Sequence, residues 1–357
     1  MSVSTNKSPQ QHLSVHTRTR RALPGALMAV VALLTTACSA GTPAASTPAG
    51  PTVVIENAKP TLKQVEADGT TSMQENLEIA RAAVTVPQKP TKVVTFDIAT
   101  LDTLDAIGAG DSVVGVPAIG LPDYLVKYAD LPKVGTLFEP DFEAVSKLGP
   151  DLIVTAARST GAYDELSRIG ITIDLTAKYA GAFDPDAALV RAKQLGTIFD
   201  KNDEVTKLAD AITAKQQSLQ AEAKKAGSAL LLSVSGGEYG AFGEGSRFGY
   251  FFDTLGFTPA VPAAELPGAK GSSHGDTVSN EFILKANPDW IIAFDRGAAT
   301  GEPASAEQTL TNELVAKTTA GQNKQIIYLP ASELYIVING LTAIDRVLDS
   351  VHGALTT

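Results

Sequence analysis

One pattern of residues occurs twice in the chain with identical spacing, and it restricts the fold more than any other feature. In each copy a glutamate is followed seven positions later by Pro-Asp, then by a short apolar run, and fifteen positions after the glutamate by an arginine. The first copy runs from Glu143 to Arg158 and the second from Glu281 to Arg296. Such a repeat indicates two equivalent halves, each with a helical segment that ends at Pro-Asp before a strand.

Short apolar runs alternate with amphipathic stretches in both halves of the chain. Apolar runs of this length predict strands, and strands that alternate with helices predict a parallel sheet. The fold class is therefore α/β, with two Rossmann-like lobes that each contain a central, mostly parallel sheet. The predicted strands are 93–97, 113–116, 152–156 and 171–175 in the first half, and 229–235, 290–295 and 325–329 in the second.

One or two helices are predicted to join the halves. Asp184-Pro185 provides a helix cap with proline in the first turn, and Gly227 lies where a later helix would end. A helix over 202–226 would be roughly 35 Å long, enough to form a stiff backbone along both lobes. The predicted domains are an N-terminal lobe at 53–183, an interlobe helix at 184–227 and a C-terminal lobe at 228–357.

The start of the first lobe has weaker signals. Strand-like residues occur around 53–56 and 83–86, with Asp68-Gly69 as a turn between them. A helical turn is also expected inside this segment.

Residues 1–37 have the pattern of an export signal. Four basic residues precede an apolar run over 22–37 that ends in small residues before Cys38. Roughly 15 apolar residues are too few for a membrane-spanning helix, so a permanent anchor helix is the less favoured interpretation. Residues 38–52, rich in Ser, Thr, Ala, Gly and Pro, have the composition of a disordered tether.

The charge of the chain excludes one class of partner. The full chain carries a net charge of −10, and removal of the four basic residues of the leader leaves −14 (−10 − 4). An acidic chain is a poor nucleic-acid binder, because binding needs basic patches that neutralise phosphates. Any anion-binding site must be a local concentration of positive charge. The single cysteine also excludes an internal disulfide.

Two arginines are predicted to face a ligand. Ligands of open α/β sheets bind at the carboxyl ends of the strands, and Arg158 and Arg296 each follow such an end. If the lobes face one another, both side chains point into the cleft between them. The alternative is a surface arginine paired with a nearby carboxylate, such as Asp164 or Asp295.

Two further candidates lie in loops. Arg247 belongs to the glycine-rich stretch 243–249, whose spacing does not fit a dinucleotide-binding loop but would let the backbone turn sharply at the mouth of a cleft. His274 lies among small polar residues at 270–276, where it could meet a ligand or remain a solvated loop histidine.

A catalytic motif is present only in part. Residues 271–275 match the Gly-x-Ser-x-Gly pattern of serine hydrolases, with Ser273 at its centre. A nucleophile elbow needs a strand directly before the serine, whereas Pro267-Gly268 precedes this one. An enzyme is therefore not predicted, and a serine hydrolase that uses Ser273 is the alternative from another class.

These segments together resemble a known family, the two-lobed, helix-hinged substrate-binding proteins of ABC importers, or class III periplasmic binding proteins. Within that family they are most similar to binders of ferric catecholate siderophores such as petrobactin and enterobactin fragments. The resemblance covers residues 86 to the C-terminus. The segments that carry it are 93–108 (VVTFDIATLDTLDAIG), 139–154 (EPDFEAVSKLGPDLIV), 246–256 (SRFGYFFDTLG), 273–275, 280–297 (NEFILKANPDWIIAFDRG) and 326–341.

The resemblance implies a role for each candidate. Arg158, Arg247 and Arg296 would surround the anionic chelate, and His274 and Tyr335 would fill two positions that a bis-catecholate leaves open on the iron. The charges agree, since a ferric tris-catecholate carries about three negative charges and arginine both pairs with oxygens and stacks on aromatic rings. The alternative for Tyr335 is a core tyrosine beside the strand at 325–329.

The resemblance also implies the setting. Glu143 and Glu281 would dock on an ABC permease, unless they are ordinary helix-surface carboxylates, and Thr35-Thr36-Ala37 before Cys38 resembles a lipidation signal. The implied protein is a monomer, exported and lipid-anchored on the outer face of the cytoplasmic membrane. It would have no permanently bound cofactor and would deliver a ferric siderophore for import. A binder of haem, cobalamin or another metal chelate is the alternative within the same fold.

Overall fold

The computed structural model describes residues 50–67, 70–176, 181–267, 274–303 and 305–356, with the backbone alone for 59–79. These residues belong to one compact unit, Pro43–Thr357. The predicted export signal, Cys38, most of the tether, the Asp68-Gly69 turn and Ser273 lie outside the described residues. None of the helices described is both long and apolar enough to cross a membrane.

Strands and helices alternate along most of the described chain. The strands are β1 Thr52–Ala67, β2 Thr70–Pro87, β3 Val93–Thr95, β4 Val113–Gly115, β5 Leu152–Thr155, β6 Thr172–Asp174, β7 Ser228–Ser235, β8 Glu238–Phe242, β9 Thr258–Pro259, β10 Asp276–Val278, β11 Trp290–Asp295 and β12 Ile326–Leu329. The helices are α1 Ile98–Ala106, α2 Phe142–Leu148, α3 Tyr163–Leu166, α4 Pro185–Phe199, α5 Asn202–Ala226, α6 Tyr250–Asp253, α7 Asn280–Ala286, α8 Arg296–Ala299, α9 Ala306–Leu310, α10 Thr319–Asn323 and α11 Leu341–Leu355.

The first sheet is parallel throughout, in the order β4-β3-β5-β6. Every residue of β3, β5 and β6 is buried. Continuous burial is typical of parallel strands that are covered on both faces, and it explains the apolar runs of β3 (VVT) and β5 (LIVT), while β6 (TID) also buries two polar residues. All four strands predicted in this half are confirmed.

The second sheet is mixed. Its order is β10-β8-β7-β11-β12, with β9 pairing with β7. The three predicted strands, β7, β11 and β12, pair with one another in parallel. The sequence reading missed β9 and the antiparallel strands β8 and β10. A signal for β8 was present, because Gly236 and Gly237, with φ of 56° and 83°, form the two-residue turn that joins β7 to β8 as a hairpin.

The internal repeat is built in the same way in both sheets. Helices α2 and α7 each have seven residues and begin at capping side chains, Asp141 and Ser279, that accept a backbone N–H. Both helices end in the left-handed conformation, at Gly149 and Asn287. The repeated glutamate is the second residue of each helix.

The aspartate of each Pro-Asp pair has a structural role that explains its place in the repeat. Asp151 accepts hydrogen bonds from the N–H of Thr91 and Lys92, just before β3. Asp289 accepts one from the N–H of Ser228, at the start of β7. In both sheets the aspartate that precedes one strand therefore fixes the start of its parallel neighbour.

The N-terminal segment is a long antiparallel hairpin. Strands β1 and β2 pair from Thr52↔Pro87 to Ala67↔Thr70, with one irregularity between Pro60 and Leu62. The helical turn expected in this segment is wrong, since the strand signals at 53–56 and 83–86 are the ends of two much longer strands. A single bridge between Ala58 and Leu175 joins the hairpin to the chain after β6.

Two helices connect the sheets. Asp184 caps α4 by accepting the N–H of Ala187, and the chain turns at Asp200, whose φ is 56°, before α5 begins. Helix α5 packs against α4 and α11. The lobe boundaries remain predictions, because α11 contacts α1 of the first half as well as β12 of the second.

Candidate functional site

Tyr335 is the centre of the candidate site. It lies after β12 in a π-helical turn, Glu333–Val337, and the residue is 8% exposed. The ring stacks on Phe294 of β11 at 6.2 Å between centroids. The alternative of a buried tyrosine near the last strand is therefore correct for its packing, but the residues around it show that this is only part of its environment.

Two of the predicted arginines converge on that ring. The guanidinium carbons of Arg158 and Arg247 lie 5.7 Å and 5.1 Å from the ring centroid of Tyr335. Both distances are within the range of a cation–π interaction. Arg158 follows β5 of the first sheet and Arg247 follows β8 of the second. Arginines from loops of different sheets therefore meet at one tyrosine.

Arg158 is anchored to the opposite half of the chain. Its Nη2 donates to the carbonyl of Tyr335 at 2.6 Å and its Nη1 to that of Ile336 at 3.2 Å. Burial lowers the pKa of Arg158, while Tyr335 and Asp97 oppose that change. The guanidinium thus binds two carbonyls of the π-helical turn that carries Tyr335.

The loop that bears Arg158 is held by a buried carboxylate. Asp174 accepts hydrogen bonds from the hydroxyls of Thr155 and Thr160, both at 2.7 Å. Ala157, whose φ is 50°, donates its N–H to the hydroxyl of Thr176 at 2.7 Å. Burial raises the pKa of Asp174, and hydrogen bonds from the surrounding threonines oppose it. This network fixes the turn from which Arg158 projects.

Arg247 lies close to two aromatic rings. Its guanidinium carbon is 4.7 Å from the ring centroid of Phe248 as well as 5.1 Å from that of Tyr335, and its Nε donates to the carbonyl of Gly181 at 2.9 Å. The glycine-rich stretch turns sharply as expected, with Gly245 at a φ of 67°.

His274 lies beside the tyrosine hydroxyl. Its Nδ1 is 3.4 Å from the Tyr335 oxygen, and its carbonyl accepts a hydrogen bond from Ser233. Burial lowers the pKa of His274, and the positive charges of Arg296 and Arg247 lower it further. These effects favour the neutral imidazole, which is the form that binds a metal.

Arg296 joins the group through its charge. It is the first residue of α8, directly after β11, and Asp295 caps that helix by accepting the N–H of Ala298. Contacts with Tyr335 bring Arg158, Arg247 and His274 together with it, and Arg296 lies near enough to His274 for its charge to lower the pKa of that imidazole. We refer to Arg158, Arg247, His274, Arg296 and Tyr335 as the Tyr335 site.

A further cation near Arg158 was missed by the sequence reading. Arg191 of α4 lines the same cavity as Arg158, together with Asp97 and Asn339. Its guanidinium donates to the carbonyl of Leu175. Burial lowers the pKa of Arg191, and neighbouring carboxylates oppose it, Asp97 first among them. Its sequence position, inside an amphipathic helix, carried no signal of this location.

The site has donors for a metal but too few to hold one alone. Within the part of the chain that the structure describes, no three His, Cys, Asp or Glu side chains are grouped to bind a metal ion. The imidazole of His274 and the phenol of Tyr335 supply two donors. Such a pair suits a metal that arrives with most of its coordination already filled.

The two repeated glutamates occupy equivalent positions in the two halves. Glu143 and Glu281 are exposed in the first turns of α2 and α7. A hydrogen bond from Ser279 lowers the pKa of Glu281. Their role in docking remains a prediction.

Comparison with known proteins identifies the family. A profile of the periplasmic binding protein family matches residues 93–333. This chain belongs to the periplasmic binding protein family. It is 39% identical over 276 residues to the petrobactin-binding protein YclQ of Bacillus subtilis, covering 76% of this chain and 84% of YclQ. It is 29% identical over 273 residues to the ferric-anguibactin-binding protein FatB of Vibrio anguillarum, covering 74% of this chain and 83% of FatB.

Solved structures agree with the sequence relatives. The crystal structure of YclQ superposes with a TM-score of 0.69 at 34% identity, over 83% of this chain and 99% of YclQ. The catecholate-siderophore-binding protein VctP of Vibrio cholerae gives a TM-score of 0.67 at 32% identity, over 82% of this chain and 100% of VctP. The predicted α/β fold and the resemblance to siderophore-binding relatives are confirmed.

Proposed function

We propose that this protein binds a ferric catecholate siderophore at the Tyr335 site and delivers it to an ABC permease for iron uptake. The observation that carries the proposal is the convergence of Arg158 and Arg247 on the ring of Tyr335, 5.7 Å and 5.1 Å from its centroid, with His274 beside its hydroxyl. Cations, an aromatic ring and two metal-binding donors at one place match the chemistry of an anionic, aromatic iron chelate.

The charges and donors of the site fit such a ligand. A ferric tris-catecholate carries about three negative charges, and the Tyr335 site contributes three arginines. Catecholate rings can stack on the guanidinium planes. A bis-catecholate leaves two positions open on octahedral Fe(III), and the neutral imidazole of His274 and the phenol of Tyr335 would complete them.

The named relatives support the same class of ligand. YclQ is named for petrobactin, FatB for ferric anguibactin and VctP for catecholate siderophores. None of these three names points to haem or cobalamin. All three are named as binding proteins, which supports a role in capture rather than catalysis.

The partner and the location follow from the same proposal. Glu143 and Glu281, exposed at equivalent positions of α2 and α7, would contact the permease, one from each half. Lipidation of Cys38 would anchor a monomer to the outer face of the cytoplasmic membrane. The protein would have no permanently bound cofactor, because the iron arrives and leaves with its chelator.

Calorimetric titration of residues 39–357 would test the ligand. The chelates to compare are a ferric bis-catecholate, a ferric tris-catecholate, haem and cobalamin. Calorimetry is preferable to tryptophan fluorescence, because Trp290, at the start of β11, is about 20 Å from Arg296 at the other end of that strand. The indole N–H of Trp290 is hydrogen-bonded to the carbonyl of Ala226.

The expected result is tight binding of at least one ferric catecholate. Arg247→Ala should weaken it by roughly tenfold or more, as expected for the loss of a charge-assisted contact. The matched control is Arg168→Ala, an exposed arginine in the first half whose loss should leave binding unchanged. Binding of haem or cobalamin with no catecholate binding would refute the proposal.

A further inference from the structure

Arg247 of the Tyr335 site is hydrogen-bonded to a glycine that the sequence analysis did not select. Gly181 lies just before α4 with a φ of 71°. Its carbonyl accepts the hydrogen bond of the Arg247 Nε at 2.9 Å. Through that bond the Nε edge of the guanidinium is fixed at Gly181, while its Cζ lies beside the ring of Tyr335.

The segment around Gly181 is itself fixed by three hydrogen bonds. The N–H of Phe183 donates to the carbonyl of Arg247 at 2.8 Å, so the two segments are joined by main chain as well as side chain. The side chain of Asn339 donates to the carbonyl of Ala182 at 2.7 Å and accepts the N–H of Asp184 at 2.9 Å. The carbonyl that orients Arg247 is therefore held in place by its neighbours.

The absence of a side chain at position 181 matters as much as the carbonyl. A Cβ there would lie 3.0 Å from Nη2 and 3.3 Å from Cζ of Arg247. Contacts this short require the guanidinium to shift by a few tenths of an ångström, and the rings of Phe248 and Tyr335, with centroids 4.7 Å and 5.1 Å from its Cζ, restrict that shift. A methyl group at this position would therefore change where Arg247 presents its charge.

We propose that Gly181 is a positioning residue for Arg247 in siderophore binding. Its carbonyl orients the Nε edge of the guanidinium, and its lack of a side chain leaves room for the guanidinium beside the rings of Phe248 and Tyr335. The inference rests on the proposed function for its effect on affinity. Its effect on the orientation of Arg247 is independent of any ligand.

The test compares Gly181→Ala with Gly108→Ala. Gly108 has nearly the same backbone conformation, with a φ of 73°, and a Cβ there would meet no atom within 4 Å. Both variants carry the cost of a left-handed alanine, so both should show a similar fall in the thermal unfolding midpoint. Only Gly181→Ala should weaken the binding of a ferric catecholate, by about three- to tenfold, a part of the loss expected from Arg247→Ala.

A double-mutant cycle separates positioning from any other effect of the substitution. In an Arg247→Ala background, Gly181→Ala should cause no further loss of affinity. An equal loss in both backgrounds, or equal affinities of Gly181→Ala and Gly108→Ala, would overturn the inference.

A measurement on the ligand-free protein keeps the inference testable even if no catecholate binds. The NMR signal of the Arg247 Nε–H, assigned by its disappearance in Arg247→Lys, should shift and exchange faster with solvent in Gly181→Ala but not in Gly108→Ala. An unchanged signal would refute the positioning role. If Gly181→Ala does not fold, Asn339→Ala, which removes two of the three bonds that fix the segment, should produce the same spectral change in a weaker form, and no change would refute the role.

Discussion

The carboxylate of Asp102 gives the fold a pH dependence that can be measured directly. Asp102 lies in α1, is 0% exposed, and accepts the N–H groups of Thr342 and Ala343 at the start of α11, at 2.8 Å and 3.1 Å. The hydroxyl of Tyr124 donates a third bond at 2.6 Å. Helix α1 thus caps α11 through one buried side chain, and this contact joins the C-terminal helix to the first half of the chain.

Burial raises the pKa of Asp102 from its ordinary value of 3.8 to about 7, while the three hydrogen bonds oppose this change and the charge of Asp105 adds to it. A carboxyl group whose pKa is higher in the folded state stabilises the fold while it is protonated. Its contribution is therefore full below pH 4 and is lost as the pH rises to 7. At 1.36 kcal/mol per pH unit, the loss amounts to about 4 kcal/mol of unfolding free energy.

Urea unfolding of wild type and Asp102→Asn at several pH values between 4 and 8 would measure this effect. The amide of Asn does not titrate. Its NH₂ group would face the N–H of Ala343, and this lowers the stability by an amount that does not depend on pH. The stability of wild type relative to Asp102→Asn should therefore fall as the pH rises from 4 to 7. Asp111→Asn, at an exposed position of the same region, is the control and should show no such trend. A difference between wild type and Asp102→Asn that is constant with pH, or that grows with rising pH, would refute the reasoning.

Three further predictions concern the Tyr335 site. Arg158→Ala should destabilise the ligand-free protein by about 3 kcal/mol in urea unfolding, since the carbonyls of Tyr335 and Ile336 lose a charged donor; an unchanged midpoint would contradict the anchoring role. Asp174→Ala should lower the free energy of unfolding by a similar amount, about 3 kcal/mol, because buried threonine hydroxyls lose their acceptor. Asp174→Asn should lower it by less, and equal losses for the two variants would argue against the hydrogen-bond network. His274→Ala should weaken calorimetric binding of a ferric bis-catecholate by about tenfold and spare a hexadentate tris-catecholate whose iron is already fully coordinated; equal losses for both chelates would exclude coordination by His274.

The sequence predicted the parallel strands well because their physical signal is local. A strand buried on both faces is apolar at most of its positions, so β3, β5 and β11 stand out as apolar runs with a polar residue only at the end. The strands it missed are the antiparallel β8 and β10 and the short β9, which carry fewer apolar residues in a row. The long hairpin of β1 and β2 was recognised only at its two ends, since its middle has polar and small residues that carry no strand pattern.

The sequence by itself determined the class of fold, the duplicated helix and strand units, and which charged residues follow the strands. These features depend on helix caps and on the burial of short strands, and both leave a pattern within a few neighbouring residues. Only the tertiary structure decided how those residues meet. The bonds from Arg158 to the carbonyls of Tyr335 and Ile336 span 177 and 178 residues, and the bond from Arg247 to Gly181 spans 66. Contacts at such separations depend on how the two sheets pack and on where the connecting segments cross, and no local pattern of residues records that geometry.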